Sequence, residues 1–272
     1  MIVEILVILI AISFSVLITY FCIPVGHGLH YFVPLLLLIA GYIIGVALMW
    51  VILSLFALPY DKKKIYDKPS KWASFWLRES IAYINNHAGI RVKIIQNKPL
   101  PKGRFLLICN HRSKFDPMIL AALYGKKDLA FITKPTNFKI PIGGHFMAGA
   151  CYLSIDRYDK LKSLEVIKRA TDLIANDLTS VGVFPEGTRS ETNEMGEFHE
   201  GVFSIALKSQ CPIVVTSFMG TEKIHSNFPK RFSKVTLKIV DVIYPEDYQG
   251  MIAKNLSDHC YQLMHDSLDD IK

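Results

Sequence analysis

Hydrophobic and polar positions divide the chain into two unlike parts. Between Glu4 and Asp61 lie 56 residues without a single Asp, Glu, Lys or Arg. That is too much uncharged chain for one core helix and enough for two bilayer crossings of roughly 20 residues each. The pattern predicts transmembrane helices near 3–22 and 32–58, joined by the breaker-rich segment 22–30. Residues 71–84 then place Trp72, Phe75, Trp76 and Tyr83 close to one helical face, as in an amphipathic helix lying on a membrane or packed on a globular domain.

From residue 92 the pattern changes to short apolar runs alternating with helical stretches. The runs are Phe105–Cys109, Leu129–Thr133, Tyr152–Ile155, Val181–Phe184, Ile213–Phe218 and Val235–Val242. Helices are predicted at 117–124, 161–178 and 199–209, with a closing amphipathic helix in 251–272. Such alternation gives an α/β fold, a largely parallel sheet flanked by helices, behind an N-terminal two-helix transmembrane hairpin. Three segments are expected: the hairpin (1–60), a juxtamembrane basic and amphipathic stretch (61–91), and the α/β domain (92–272).

Charge orients this arrangement. The hairpin loop has no Lys or Arg, whereas Lys62, Lys63, Lys64, Lys68 and Lys71 follow the second span. The positive-inside rule puts that side in the cytoplasm, giving an integral protein of the plasma (inner) membrane with the domain beyond residue 60 on the cytoplasmic face. No basic residue precedes the first span and no small-x-small cleavage site stands out, which favours an uncleaved span over a signal peptide. Beyond residue 60 stand all 31 Lys and Arg against 23 acidic residues, a balance suited to anionic lipid or phosphorylated substrates. No aromatic-plus-basic recognition motif or zinc spacing points to nucleic acid. The five cysteines are odd in number and widely spaced, as in a reducing cytosol.

Candidate chemistry gathers behind the apolar runs. His111 and Asp116 follow Phe105–Cys109 and precede Pro117, a strand-to-helix loop. Their spacing alone carries little, because His265 and Asp270 repeat it. Asp116 equally suits a helix N-cap, and His111 a satisfied buried imidazole. Lys134 follows the second run, Asp156 and Arg157 the third, and Pro185-Glu186-Gly187-Thr188-Arg189-Ser190 the fourth. In a parallel sheet these ends converge on one crevice holding an imidazole, carboxylates and cations: a general base beside a phosphate-sized site. Ser113 lacks the Gly-x-Ser-x-Gly elbow of a serine hydrolase, so a turn role is expected for it.

Four ordered blocks over roughly 100–220 resemble the 1-acylglycerol-3-phosphate acyltransferase family of the glycerolipid acyltransferase superfamily. They are Asn110 to Pro117; Lys134 to Pro141 with Gly143, Gly149 and Ile155-Asp156-Arg157; Phe184 to Ser190; and Phe198, Gly201, Ala206 and Pro212 to Val215. Val215 stands where family members commonly carry a second proline. The resemblance implies acyl transfer from acyl-CoA or acyl-ACP to lysophosphatidic acid or a related lysolipid drawn from membrane lipid. It implies His111 as base, Asp116 as its partner, Arg157 and Arg189 on the substrate phosphate with Lys134 as a weaker candidate, and Glu186 near the glycerol. Gly187 would allow a turn close to substrate, with Thr188 beside it. No cofactor and no metal is implied, because a thioester is already activated. A different acceptor, a lipid transacylase, or a non-catalytic adaptor for anionic lipid are the competing expectations.

Overall fold

The computed structural model describes residues 2–22, 32–96, 98–156, 159–190 and 194–269. The chain divides into two compact units, Met1–Tyr60 and Asp61–Lys272.

In the first unit α1 (Ile2–Cys22) and α2 (Val33–Ala57) pack side by side. Both are long and apolar enough to cross a bilayer, with mean hydropathy 2.8 and 2.7. Their contact stripes repeat every four residues: Val3, Val7, Ala11 and Ser15 on α1, and Gly41, Gly45, Met49, Leu53 and Ala57 on α2. The two glycines set the approach. A Cβ on Gly41 would stand 2.9 Å from the Ala11 carbonyl oxygen, and one on Gly45 3.0 Å from that of Val7. Small residues at four-residue spacing thus bring the two backbones together, a packing mode also used by helices in lipid. Ser15 Oγ donates to the Pro34 carbonyl at 2.8 Å, satisfying a hydroxyl within the apolar stretch.

The second unit is a three-layer α/β sandwich. Seven strands, β1 (Ile90–Gln96), β2 (Leu106–Cys109), β3 (Leu129–Thr133), β4 (Leu153–Ser154), β5 (Ser180–Val183), β6 (Ile213–Met219) and β7 (Ser233–Ile243), form one sheet in the order β1-β7-β6-β2-β5-β3-β4. The five strands β6-β2-β5-β3-β4 are parallel. β7 runs antiparallel to β6, and β1 is parallel to β7. The central strands read as unbroken apolar runs because both faces are covered.

One face buries Leu106 and Ile108 of β2 against α6 (Lys160–Ala175), α7 (Ser204–Ser209) and α9 (Ala253–Asp269), through Ile167, Leu173, Ile205, Leu256 and Met264. The other buries Leu107 and Cys109 against α4 (Asp116–Tyr124) through Ile119 and Leu120. α3 (Lys71–His87) packs on α4 and α5 (Gly143–Gly149), with Ala73, Trp76 and Leu77 buried and Trp72 left exposed. Packing therefore accounts for one face of this helix. A short α8 (Ile224–Asn227) follows β6.

Three features differ from the sequence expectation. β1 was not anticipated; it is an edge strand whose outer positions carry Arg91, Lys93 and Gln96, so its apolar run is interrupted. The stretch 199–209 is a 3-10 turn, Glu200–Phe203, followed by the two-turn α7 rather than one helix. α5 was missed because Gly143-Gly144 opens it. Gly144 lies where a Cβ would meet the Phe138 carbonyl oxygen at 2.1 Å, so close packing and not helix propensity selects it.

Candidate active site

The five parallel strands turn their carboxyl ends to the same edge, and the candidate residues leave from there. The β2–α4 loop is folded around Asp116, whose side chain is fully buried. Its Oδ2 accepts the backbone N–H of Arg112 and of Ser113, each at 2.7 Å, and lies 2.9 Å from His111 Nδ1. An oxygen already fed by two N–H donors is an acceptor, so the third contact is an Nδ1–H donation from His111. That fixes the neutral imidazole as the tautomer with its lone pair on Nε2. The helix N-cap is Phe115 rather than Asp116, and the Asp116 carboxylate turns back to the loop. Asp116 Oδ1 is buried without a hydrogen-bond partner. Ser113 Oγ accepts from the Phe115 N–H at 3.3 Å, a turn-stabilising bond.

Glu186 ties this loop to the β5 loop. One carboxylate oxygen accepts the His111 N–H at 2.6 Å and the other the Gly196 N–H at 2.8 Å. In return the Ser190 N–H donates to the His111 carbonyl at 2.9 Å. Burial pushes the Glu186 carboxyl above the ordinary range, against the lowering effect of those two backbone donors. Gly187 sits at φ +71°, left-handed backbone that a glycine adopts without strain, and turns the chain outward. Thr188, Arg189 and, at the end of β3, Lys134 are exposed at this edge. Arg157 lies outside the described residues, as does Asp270, the partner of the repeated His265 spacing.

Sequence reasoning missed three supports. Phe184 stacks on the His111 ring with centroids 4.3 Å apart, and Phe131 stacks on Phe184 at 5.9 Å. Asn110, 1% exposed, accepts the Phe218 N–H at 2.7 Å and donates to the Phe218 carbonyl at 3.1 Å. Its amide thereby substitutes for a strand partner where β2 has ended and β6 continues. Arg112 faces Glu222 at 3.8 Å, beyond the end of β6. Asn110, Arg112 and Phe184 stand in the motif blocks, but their contacts with Phe218, Glu222 and the His111 ring leave no sequence signal. Val215, at the place of the commoner proline, is paired with Ile108 of β2 on one side and Asp241 of β7 on the other. A residue able to donate its N–H suits a strand with neighbours on both sides.

Residues 90–219 match the acyltransferase family model. A 1-acyl-sn-glycerol-3-phosphate acyltransferase of Chlamydomonas reinhardtii is 32% identical over 158 residues, covering 57% of this chain and 47% of that protein. A probable 1-acyl-sn-glycerol-3-phosphate acyltransferase of Mycoplasma genitalium is 26% identical over 230 residues, covering 78% and 81% respectively. The chain thus spans about half of the algal relative and most of the bacterial one. In structure it is similar to the 1-acyl-sn-glycerophosphate acyltransferase PlsC of Thermotoga maritima, with TM-score 0.59 and 20% identity over 74% of this chain and 80% of that one, a likeness of fold. With the His111 and Glu186 blocks on one sheet edge and the family match over 90–219, residues 90–219 form an acyltransferase-family domain similar to the 1-acyl-sn-glycerol-3-phosphate acyltransferases.

Proposed function

We propose that the protein transfers a fatty acyl group from a thioester, acyl-CoA or acyl-ACP, to the free hydroxyl of 1-acyl-sn-glycerol 3-phosphate, giving phosphatidic acid. The observation that carries this reading is the orientation of His111: Nδ1 is committed to the buried Asp116, and the ring keeps 18% of its side-chain surface exposed. Nε2 accepts the hydroxyl proton as the alcohol oxygen attacks the thioester carbonyl carbon. Asp116 stabilises the imidazolium that forms. The carbon–sulfur bond then breaks, and the imidazolium returns its proton to the leaving thiolate.

Arg189, and from its sequence position Arg157, supply forked donors for the acceptor phosphate, with Lys134 as a further cation. Gly187 and Thr188 shape the turn beside them. Both oxygens of Glu186 already hold backbone N–H groups, so its part is to lock the His111 loop to the Arg189 loop, placing base and phosphate site in one register. The apolar α1 and α2 hold the enzyme in a membrane where lysolipid and product both reside, with the Lys62–Lys64 side cytoplasmic.

The test is transfer of labelled acyl groups from thioesters to a panel of acceptors by detergent-purified full chain, beside His111→Ala. Activity is expected on the lysophosphatidate and lost in the variant. Undiminished turnover by His111→Ala would remove the proposed base, and equal turnover on acceptors lacking a phosphomonoester would remove the arginine phosphate site. Preference within the panel separates this acceptor from glycerol 3-phosphate or another lysophospholipid.

A further inference from the structure

The carboxyl edge of the sheet does not end at the residues already described. β6 overruns β2: Thr216 pairs with Cys109, and Met219 lies three residues further out. β7 and β1 overrun β6 in turn, since Thr236 pairs with Met219 and Lys93 with Thr236, while Arg91 and Lys234 stand two residues beyond. This corner therefore rises beside the His111 edge, two strands away at β7 and three at β1, a lateral offset along the sheet of about 10 and 14 Å at the usual strand spacing, with Arg91, Lys93 and Lys234 on the face opposite Val92, Val235 and Leu237.

Its surface is basic and aromatic together. Arg91, Lys93 and Lys234 are exposed on one face of the β1–β7 pair, and Lys230 is exposed on the loop that precedes β7. Phe228 and Phe232 leave 53% and 64% of their surface in solvent, and the Arg91 guanidinium sits 4.7 Å from the Phe232 ring centroid. Exposed π-faces interleaved with cations match a ligand that joins a purine to phosphates.

We propose that this corner binds the nucleotide end of a coenzyme A thioester, the adenine stacking on Phe232 and Phe228 and the phosphates pairing with Arg91, Lys93, Lys234 and Lys230. The inference rests on the thioester-donor reading above and adds the place of the carrier. An extended phosphopantetheine arm spans the interval from the corner to His111, so the thioester reaches the base while the nucleotide stays outside the lipid acceptor's path. An acidic carrier protein would use the cations and leave the rings without a role. A contact with the bilayer surface gives no reason for the patch to lie within one arm's length of the base.

The test uses the full chain in detergent micelles and three donors: palmitoyl-CoA, S-palmitoyl-pantetheine, which lacks the nucleotide, and palmitoyl-ACP. For Arg91→Glu/Lys234→Glu the KM for palmitoyl-CoA is expected to rise on the order of tenfold per reversed charge, with kcat held. Phe232→Ala should raise the same KM. The ratio of wild-type to variant kcat/KM should stay near one with palmitoyl-pantetheine, a readout that general damage to the domain would move. Equilibrium dialysis of free coenzyme A supplies an arm independent of turnover: the wild type binds and the double variant does not. Binding lost in the variant supports the corner even if the wild type transfers from none of the donors, which is a failure of the activity reading alone. An unchanged KM for palmitoyl-CoA overturns the proposal. So does a parallel loss with palmitoyl-pantetheine, a loss confined to palmitoyl-ACP, or a loss seen only when the lysolipid is presented in anionic vesicles.

Discussion

Gly182→Ala, a change at a position that contacts neither His111 nor Asp116, tests how the His111 ring is held. Gly182 lies in β5, and a Cβ there would meet Phe131 Cε1 at 2.3 Å and Cδ1 at 2.6 Å. Ordinary contact begins near 3.4 Å, so the ring must retreat by about 1 Å in an interior packed as densely as a crystal. Phe131 is 1% exposed, and its displacement is passed on: it lies nearly parallel to Phe184, at 15°, and Phe184 lies against His111 at 27°. Overpacking of this kind costs about 1–3 kcal/mol, and each kcal/mol lowers Tm by about 2–4 °C in a domain of this size. The rate should fall as well, by up to on the order of a hundredfold if the shift is passed on to His111, because a misplacement of about 1 Å at a reacting group can cost that much. Thermal unfolding of the detergent-solubilised chain and steady-state kinetics measure the two effects. Gly182→Ala/Phe131→Leu, which removes the clashing ring edge, should regain stability without regaining full kcat, since the stack behind Phe184 is gone. A Gly182→Ala enzyme with wild-type kcat and unchanged Tm would refute the claim that Phe131 and Phe184 position the imidazole.

Four further outcomes follow from the same geometry. Asp116→Asn keeps the shape but places an amide against Nδ1; kcat should fall by about a hundredfold to ten-thousandfold with little change in KM for the acceptor, read by steady-state kinetics. Asn110→Ala strands both backbone groups of Phe218 and should destabilise by about 2–4 kcal/mol in thermal or denaturant unfolding. Glu186 carries a raised carboxyl pKa in the fold, so the native state holds a proton that the unfolded chain has released; stability from this group is present below the ordinary carboxylate pKa and is lost as pH rises through the raised value. The difference in unfolding free energy, wild type minus Glu186→Gln, should therefore decline as pH rises above the ordinary carboxylate range, and a flat or rising difference counts against the assignment. Cys22 is exposed while the other four cysteines are buried, so a membrane-impermeant maleimide should label it from the side opposite the Lys62–Lys64 face; labelling only after the membrane is opened reverses the orientation.

How far the sequence foretold this structure depended on whether its signal was local. Leu106–Cys109 and Ser180–Val183 are buried on both faces, and such strands write themselves as apolar runs. α6 begins after Asp159 because that side chain accepts the Lys162 N–H, a bond three residues long. β1 escaped because only one face of an edge strand needs to be apolar, and its other face carries Arg91 and Lys93. The reversed direction of β7 left no trace, since Val235, Leu237 and Ile239 alternate identically in either sense.

The same division runs through the site. Asp116 reaches Arg112, Ser113 and His111 within five residues, so a strand, a loop and Asp-Pro were enough to bring the pair into view. The Glu186 bond to the His111 N–H spans 75 residues, and the Asn110 bonds to Phe218 span 108. The ring stack requires β2, β5 and β3 to be neighbours in that order, which hydrophobic periodicity does not specify. The His111–Asp116 pair is thus written locally, but the orientation of the proposed base depends on the sheet. A substitution such as Gly182→Ala should accordingly reach His111 from the middle of a strand, through contacts that only the completed strand order creates.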